Sequence, residues 1–406
     1  MKKLLFLSLK DICYNSTAYF ETRISDELST LGIQVTHIKV PKASDMAYAV
    51  LKPYFDADYD AVIDINSRIP VMMYNNAPLL GSFQIPVWHY ILDHPMYHYE
   101  ALSSKLPDYN IICLDINHAQ LIKDSFPHIK QVCVLPLAAD TFFNTNPFEE
   151  NASDYFNRPD NIIFTGTYTD PVKTSLLYSR KQAIDNHPLF TTLLDKPLLT
   201  QEAAVRLLIK DKLIDAALTP IEYLYNNFLI DVFLQAVIRE EIITQIIKQH
   251  LPITIYGHGW DAFADKCDIL APGISRYLNL RPEVTYSRLP CIYSSARLSI
   301  NQMPWFKNGI HDRIPLSLRN GCICISDESS YLTDTLKLSD DYGIHTYSLE
   351  AIYKLPDIIN KLMQRIANKD SLLTAQLCKG YEYASKNFTW NNWVSRWLSY
   401  INTNVV

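Results

Sequence analysis

Glycine is scarce in this sequence, with 10 glycines among 406 residues, roughly a third of its ordinary frequency in globular proteins. We therefore expect the few glycines to mark places where the backbone bends sharply or approaches another group closely. Long apolar runs are also missing: no stretch of about 18 apolar residues occurs, so we expect no membrane-spanning helix. The apolar run at residues 4–9 is too short for a secretion signal and predicts a first β-strand.

The motifs of several enzyme classes are absent. No GxGxxG follows the first predicted strand, and no GxxxxGKS, GxxxxGKT, GxSxG or HExxH occurs anywhere. This argues against nicotinamide dehydrogenases, P-loop enzymes, α/β-hydrolases and zinc proteases. Of the eight cysteines only Cys322 and Cys324 lie close together, with no second pair at zinc spacing. We therefore expect no metal site and a reduced, cytoplasmic protein.

The composition is that of a globular protein, with 48% hydrophobic and 20% charged residues. The net charge of -6 gives no reason to expect nucleic acid or an anionic membrane as a partner. Any anion that binds must therefore be held by a local site. The length is sufficient for two domains.

Short apolar runs rich in Val and Ile recur along the first 155 residues and again after residue 250. Such runs, separated by helical stretches, are typical of strands buried on both faces of a parallel sheet. Residues 172–250 carry only helical signals. We predict an α/β chain of two Rossmann-like domains facing each other across a cleft, with a helical insertion in the second.

The second half contains five predicted strands, at residues 161–166, 253–256, 284–286, 298–301 and 322–326. The most apolar helix candidate, residues 223–247, is interrupted by charged residues and so does not indicate a membrane span. We see no internal repeat.

The stretch FKNGIHDRIPLSLRNGCICISDES, residues 306–329, combines a loop at Gly309 with a short helix that should begin near the first proline. His311 and Arg313 lie just ahead of that helix, where cations oppose the helix dipole. An anion joining them would relieve this opposition, which predicts a phosphate site. The alternative is that Asp312 caps the helix or pairs locally.

Polar residues also follow a strand of the first half. Asp93 and His94 come directly after the predicted strand at residues 87–92. A carboxylate and an imidazole at a strand's carboxyl end suit acid–base work or the binding of hydroxyl groups. Alternatively, the Asp-His-Pro sequence caps a helix.

Half of the glycines follow strands or flank helices in the second half of the chain. They are Gly166, Gly257, Gly259, Gly309 and Gly321. Tyr256-Gly257-His258-Gly259 combines two of them with an aromatic ring and an imidazole after a predicted strand. The clustering predicts loops that line a ligand, although ordinary turns would explain any single glycine.

Residues 284–329 resemble the glycosyltransferases related to spore maturation protein B, which have GT-B architecture. The matching features are a strand ending in Asn301, the Gly309-x-His311-x-Arg313 loop, and a turn at Gly321 before a strand and an acidic loop. The first half resembles the N-terminal domain of these enzymes through three segments, residues 92–95 (LDHP), 115–118 (DINH) and 135–140 (LPLAAD).

The resemblance implies a glycosyltransferase that moves a sugar from a nucleotide-sugar donor, in this family a UDP-linked one, to a hydroxyl of a protein or glycan. A flagellin, another surface protein or a polysaccharide precursor would be such an acceptor. It implies no other cofactor. The implied domains are an acceptor-side domain at residues 1–155, a donor domain at 160–385 that includes the 172–250 insertion, and a C-terminal helix at 386–406 that crosses back.

The resemblance also implies roles for individual residues. His94 or Asp93 would deprotonate the acceptor hydroxyl if the reaction inverts configuration. The implied donor-binding residues are Gly166, Tyr256, Gly257, His258, Asn301, Gly309, His311, Arg313, Asp327 and Glu328. No metal ligand is implied.

One position departs from the GT-B pattern. Leu316 stands where many of these enzymes carry a glutamate that holds the donor ribose, so Asp327, Glu328 or a backbone group would have to hold it. This departure favours an alternative function, a non-catalytic nucleotide-sugar or glycan-binding module. An epimerase or phosphorylase is a third possibility, but no lysine stands out for pyridoxal phosphate. Two overlapping D-x-D matches at residues 56–60 indicate either a metal motif or a solvated acidic turn.

Overall fold

The computed structural model describes residues 1–9, 16–177, 184–303 and 305–402. The chain divides into two compact units. The first unit comprises Met1–Leu137, Ile221–Tyr225 and Trp390–Val406, and the second comprises Ala138–Pro220 and Asn226–Thr389. The predicted insertion and the predicted C-terminal helix include residues 178–183 and 403–406, which lie outside the described residues.

Fourteen strands are described. They are β1 (Lys3–Ser8), β2 (Gln34–Lys39), β3 (Ala61–Ile65), β4 (Met73–Tyr74), β5 (Ala77–Pro78), β6 (Val87–Tyr90), β7 (Tyr109–Cys113), β8 (Gln131–Val134), β9 (Asp160–Thr165), β10 (Ile253–Tyr256), β11 (Leu278–Arg281), β12 (Ala296–Ile300), β13 (Ile323–Asp327) and β14 (Ile344–Tyr347).

The α-helices connect these strands and cover both sheets. They are α1 (Ser16–Thr30), α2 (Ser44–Leu51), α3 (Tyr99–Leu102), α4 (Ile116–Ser125), α5 (Pro147–Asn151), α6 (Pro171–Leu177), α7 (Pro188–Asp195), α8 (Gln201–Lys210), α9 (Pro220–Asn226), α10 (Phe228–Lys248), α11 (Trp260–Leu270), α12 (Leu289–Ser295), α13 (Arg313–Arg319), α14 (Leu355–Ala367), α15 (Ser371–Asn387) and α16 (Trp390–Asn402).

The first unit is built on a six-stranded parallel sheet with the order β2-β1-β3-β6-β7-β8. All residues of β3 and β7 are buried, as strands covered by helices on both faces require. Helix α16 packs on α1 through Trp390, whose ring centroid lies 5.6 Å from that of Phe20. Ile221, from α9, belongs to the hydrophobic core of this unit.

The second unit has its own six-stranded parallel sheet, with the order β11-β10-β9-β12-β13-β14. The strand order therefore runs one way from β9 to β11 and the other way from β12 to β14. Helices α6 to α10 lie in the chain between β9 and β10. The predicted α/β class, with a parallel sheet in each half and a helical insertion in the second, is confirmed.

Some element boundaries were predicted wrongly. Residues 284–286 do not form a strand. The strand in this part of the chain is β11, which ends at Arg281, and a 3-10 turn follows at Tyr286–Arg288. β11 lies at the sheet edge and alternates between half-buried leucines and exposed polar residues, so it lacks a continuous apolar run. The predicted helix at residues 223–247 is two helices, α9 and α10, which meet at Asn227.

Candidate functional site

The second sheet reverses its strand order between β9 and β12. Open α/β sheets bind ligands at such a point, outside the carboxyl ends of the strands. The register pairs Phe164 with Ile300, so Thr165 and Asn301 follow on neighbouring strands at the same edge of the sheet. The loops that leave β9 and β12 are therefore the place where a ligand site is expected.

Arg313 is the first residue of α13, and its half-buried side chain reaches back to β9. Its Nε donates to Thr165 Oγ1 at 3.2 Å, and its guanidinium carbon lies 5.6 Å from the centroid of the Phe164 ring. The Thr165 hydroxyl also hydrogen-bonds the hydroxyl of Tyr293, at 2.9 Å. These contacts hold Arg313 at the switch point, and its predicted contact with a donor stays a prediction.

Arg239 reaches the same ring from α10. Its guanidinium carbon lies 5.7 Å from the Phe164 centroid, its Nε donates to Gln302 Oε1 at 2.9 Å, and its Nη1 donates to the carbonyl of Thr167. Burial and the positive charge of Arg313 lower the pKa of Arg239 to about 9, so it remains protonated at neutral pH. Sequence reasoning missed this residue and treated it only as a charge that interrupts an apolar helix.

Neither guanidinium group forms a hydrogen bond or an ion pair with a described carboxylate. Within the part of the chain that the structure describes, no Asp or Glu side chain pairs with Arg239 or Arg313. The nearest acid in sequence, Asp312, pairs instead with His311 Nδ1. Burial opposes ionisation of Asp312, but His311 and Arg313 outweigh it and hold the pKa of this carboxyl below its usual range. Arg239 and Arg313 are thus close enough for their charges to interact, and the negative charge of Asp312, which Arg313 also stabilises, is paired with His311.

Gly166 and Gly257 allow the loops around Arg313 to pack closely. A Cβ on Gly257 would lie 2.0 Å from the carbonyl oxygen of Gly166, and one on Gly166 would lie 3.1 Å from Arg313 Nη2. The same Gly166 carbonyl accepts a hydrogen bond from Trp260 Nε1 at 2.8 Å. The absence of a side chain is thus a steric requirement at Gly257, and at Gly166 it leaves space beside the guanidinium.

The other predicted residues of the β10 loop lie on the same strand end. The carbonyl of Tyr256 accepts a hydrogen bond from Gly166 N at 3.0 Å. The side chain of His258 is 77% exposed, and its Nδ1 lies 3.6 Å from Glu283 Oε2. Gly259 is the residue that precedes α11. The structure therefore brings this loop to the β9 loop, and donor contact by Tyr256 or His258 stays a prediction.

Asn301 and Asp327 are completely buried and support the loop after β12. Asn301 Nδ2 donates to Ser326 Oγ at 2.9 Å, and Asp327 Oδ1 accepts a hydrogen bond from Met303 N at 2.9 Å. Burial raises the pKa of Asp327 to about 6. The other oxygens, Asn301 Oδ1 and Asp327 Oδ2, are buried with no hydrogen-bond partner among the described residues. The predicted contact of these two residues with a donor stays a prediction.

Gly309 and Glu328 lie in the loops that follow β12 and β13. The carbonyl of Gly309 accepts a hydrogen bond from Ser329 Oγ at 2.7 Å, which ties the two loops together. Glu328 is exposed at the end of β13. Leu316 is completely buried in α13, so its side chain contributes to the core.

The two predicted catalytic residues differ in accessibility. The side chain of Asp93, after β6 in the first unit, is 42% exposed. Its Oδ2 accepts a hydrogen bond from Asn66 Nδ2 at 2.9 Å and lies 3.9 Å from His98 Nε2. Asp93 is thus held at the carboxyl end of its strand with part of its carboxylate open to solvent.

His94 is completely buried. Its Nδ1 accepts a hydrogen bond from Met96 N at 3.1 Å, so it caps the 3-10 turn at Pro95–His98. Burial and the neighbouring imidazoles of His118 and His98 lower the pKa of His94 well below its usual value. His94 is therefore neutral, and the alternative of a capping role for the Asp-His-Pro sequence is confirmed.

A buried Asp–His pair lies behind Asp93. His89 Nδ1 lies 2.9 and 3.0 Å from the two carboxylate oxygens of Asp64, and the His89 ring centroid lies 5.5 Å from that of His98. Both residues are on strands that the sequence predicted as apolar runs, so their polar character gave no separate signal.

Other sequence features have structural roles. In the acidic turn before β3, Asp60 Oδ2 accepts a hydrogen bond from Lys3 N at 2.8 Å. Among the described residues, no group of three or more His, Cys, Asp or Glu is arranged to hold a metal ion. The described helices include none with the length and apolarity needed to cross a membrane.

The chain matches no protein-family model and no curated protein sequence. Its structure is similar to that of sucrose-phosphate synthase from Thermosynechococcus elongatus, with a TM-score of 0.59, 8% identity and 99% of each chain covered. It is also similar to Anabaena HepE in complex with UDP and glucose, with a TM-score of 0.57, 10% identity, and 99% of this chain and 100% of that chain covered. The fold is that of GT-B glycosyltransferases.

A glycosyltransferase from Rickettsia africae has the same fold, with a TM-score of 0.53, 10% identity, and 99% of this chain and 98% of that chain covered. Because these structures match over nearly their whole length, both α/β units belong to the shared GT-B fold. At this level of identity the likeness extends to the fold alone.

Proposed function

We propose that this GT-B chain is a glycosyltransferase that takes a sugar from a nucleoside-diphosphate sugar and transfers it to an acceptor hydroxyl. The observation that carries this proposal is the pair of guanidinium groups, Arg239 and Arg313, at Phe164, to which no described carboxylate is hydrogen-bonded. Like charges held together in a half-buried place repel each other, and a bound anion removes that repulsion. Guanidinium groups bind phosphate oxygens with strong, directed hydrogen bonds.

A diphosphate suits this pair because its two phosphate groups can each engage one arginine. When the sugar departs, negative charge develops on the diphosphate, and two fixed cations stabilise it. Arg313 is fixed by Thr165, and Arg239 by Gln302, so both cations are positioned before the donor arrives.

The finer parts of the proposal rest on the fold and on the sequence resemblance. We propose a UDP-linked donor in the second unit, because HepE, a structural neighbour, was crystallised with UDP and glucose. We assign the acceptor, a protein or a glycan, to the first unit. A relationship to spore maturation protein B and a cytoplasmic location in a bacterium belong to the same proposal.

Asp93 is the residue that we propose as the base of an inverting reaction. The acceptor oxygen attacks the anomeric carbon, the bond from that carbon to the diphosphate oxygen breaks, and the hydroxyl proton passes to the Asp93 carboxylate. The exposure of Asp93 supports this role, whereas His94 is buried and caps a turn. We assign His94 to positioning Asp93.

A non-catalytic nucleotide-sugar-binding module is the second candidate. The buried Leu316 favours it, because the carboxylate that commonly holds the donor ribose is missing. Binding alone would satisfy the arginine pair, so only turnover separates the two functions.

The experiment is calorimetric titration with UDP, GDP, CMP and ADP, followed by incubation with the sugar conjugates of whichever nucleotide binds. Glycosyl transfer predicts selective binding and release of the free nucleotide, stimulated by an acceptor. Binding with no release, with or without glycan and protein acceptors, would support the binding module. No binding of any nucleotide or conjugate would contradict both functions.

A further inference from the structure

A cavity lies at the edge of the second sheet where its strands begin, opposite the edge that carries the Arg239–Arg313 pair. It has a volume of about 350 Å³, and its lining includes Phe143, Asn144, Asn151, Tyr155, Arg158 and Ser294. Arg158 precedes β9, and Ser294 lies at the end of α12, just before β12. Since β9 has six residues at about 3.3 Å each, roughly 20 Å separates this edge from the Arg239–Arg313 pair.

Arg158 forms the floor of the cavity and is only 8% exposed. Its Nη1 donates to the carbonyls of Ala296 and Gly321, at 2.8 and 2.7 Å, which ties the beginnings of two strands together. Among the described residues, its Nε and Nη2 donate to no acceptor, and no carboxylate pairs with it. A buried cation without an anion is unfavourable, so this guanidinium would be stabilised by an anionic group in the cavity.

Aromatic rings hold Arg158 in place. Its guanidinium carbon lies 5.1 Å from the centroid of the Tyr155 ring and 5.8 Å from that of Phe143. Tyr155 is buried, whereas Phe143 is half-buried and keeps part of its ring accessible. An apolar ring face beside a guanidinium can therefore contact a ligand that presents an apolar face and a negative charge together.

The rim of the cavity is polar and uncharged except for one carboxylate. Asn144, Thr145, Asn151 and Ser294 supply amides and hydroxyls, and Asn151 Nδ2 donates to Asp154 Oδ1 at 2.8 Å. Such groups can donate to and accept from hydroxyls on several sides of a small ligand. The volume is at the lower end of the ~300–1,000 Å³ typical of small-molecule sites, which suits one substituted ring.

We propose that this cavity binds an acidic sugar, a pyranose ring that carries a carboxylate or a phosphate. The anionic group binds Arg158 through its free N–H groups, the apolar face of the ring packs on Phe143, and the hydroxyls bind the polar rim. The site is separate from the proposed donor site and does not depend on glycosyl transfer.

The test is calorimetric titration of the full chain with glucuronate, glucose 6-phosphate and glucose, each with and without saturating UDP. We expect glucuronate, glucose 6-phosphate or both to bind at least roughly tenfold more tightly than glucose, since hydrogen bonds between charged groups are stronger than those of neutral hydroxyls. A response to only one of them identifies the carboxylate or the phosphate as the recognised group. UDP should leave this binding unchanged.

Substitutions in the accessible wall of the cavity test the proposal without replacing Arg158, because loss of Arg158 could disturb folding. Phe143→Ala should weaken binding of the acidic sugar roughly tenfold, and Ser294→Phe should abolish it by filling the cavity. Phe142→Ala is the matched control, because Phe142 is exposed and does not line the cavity. The proposal is wrong if glucose binds as tightly as the acidic sugars, if none of the three binds, if UDP displaces them, or if Phe143→Ala and Ser294→Phe bind like the wild type.

Discussion

Arg239 and Arg313 hold their guanidinium carbons 5.7 and 5.6 Å from the centroid of one ring, that of Phe164. The two residues come from different segments, Arg239 from the long helix α10 and Arg313 from the short helix α13. No described carboxylate is hydrogen-bonded to either cation, and under the proposed function both bind the same diphosphate. This relationship links the helical insertion directly to the switch point of the second sheet.

Replacing either arginine should weaken nucleotide binding. Each substitution, Arg239→Ala or Arg313→Ala, removes a charged hydrogen bond worth ~1.5–3 kcal/mol, so the Kd for UDP should rise roughly 10- to 150-fold. The affinity of the wild type should also fall as salt concentration rises. Calorimetric titration measures both effects.

Arg206→Ala serves as the control for these variants, because Arg206 is an exposed arginine on α8. It should bind UDP like the wild type. Thermal unfolding must show that both arginine variants remain folded. If the Arg239→Ala, Arg313→Ala double variant binds UDP with an unchanged Kd, the diphosphate does not bind to this pair.

Asp93 and His94 should respond differently to substitution. Asp93→Asn should lower kcat by about 10²–10⁴-fold while donor affinity stays unchanged, because a general base contributes to the transition state. His94→Asn keeps a side-chain acceptor for the turn but loses a buried ring. It should therefore lower Tm, and it should lower kcat less than Asp93→Asn does. Steady-state kinetics and thermal unfolding distinguish the two residues. Equal loss of kcat in both variants at full stability would contradict the assignment.

Gly257 should not tolerate a side chain. A Cβ there would lie 2.0 Å from the Gly166 carbonyl oxygen, so Gly257→Ala must displace the β9 loop. We expect a loss of about 1–3 kcal/mol in the free energy of unfolding together with weaker UDP binding. Gly81→Ala is the control, because the nearest atom to its added Cβ would be 3.8 Å away. Urea unfolding measures the stabilities of Gly257→Ala and Gly81→Ala. If they are equal, the β9 loop accommodates the added Cβ.

Asp327 should make stability depend on pH in the acidic range. Burial raises its pKa from 3.8 to about 6, so its protonated form favours the folded state. This contribution is complete below pH 4 and is lost as pH rises through about 6. The difference corresponds to roughly 3 kcal/mol.

Asp327→Asn tests this dependence, because the amide can still accept the hydrogen bond from Met303 N but cannot ionise. The unfolding free energy of this variant, relative to the wild type, should rise by roughly 2 kcal/mol between pH 4 and pH 7 in urea titrations. Asp195→Asn, at an exposed position of α7, is the control for the general effect of removing a charge. A difference that stays flat across this range would show that Asp327 is ionised in the folded chain.

Ile221 should stabilise the first unit, although it lies in the chain among helices of the second. Its side chain is 1% exposed and belongs to the first unit's core. Ile221→Ala should cost about 2–5 kcal/mol and Ile221→Val about 0.5–1.5 kcal/mol. Hydrogen exchange should accelerate in β6 and β7 for the alanine variant. Faster exchange confined to α9 would mean that Ile221 does not support that core.

The sheets were predictable because their central strands are buried on both faces. All five residues of β3 and of β13 are buried, and such strands appear in a sequence as continuous apolar runs. The edge strand β11 could not be recognised in the same way, since its half-buried and exposed residues alternate over only four positions. Central strands are therefore easier to recognise in the sequence than edge strands, because only strands buried on both faces need a continuous run of apolar residues.

The candidate site was predictable where its residues follow strands or open helices, as with Gly166 and Arg313. Arg239 gave no comparable signal, because its approach to Phe164 depends on how α10 packs against the sheet. The same is true of Asp64 and His89, which pair across adjacent strands. Contacts that form only through tertiary packing cannot be predicted from the spacing of residues in the sequence.

The position of Arg239 on α10 couples ligand binding at Phe164 to the docking of this helix. Residues of this 21-residue helix, among them Ile242 and Ile246, are buried, so Arg239 reaches Phe164 only when the helix has docked. If a nucleotide binds Arg239 as proposed, it favours the docked helix and, at a hundredfold excess over its Kd, adds about 2.7 kcal/mol to the stability of the folded chain. Under the same proposal, the helical segment is more accessible to proteases without nucleotide than with it.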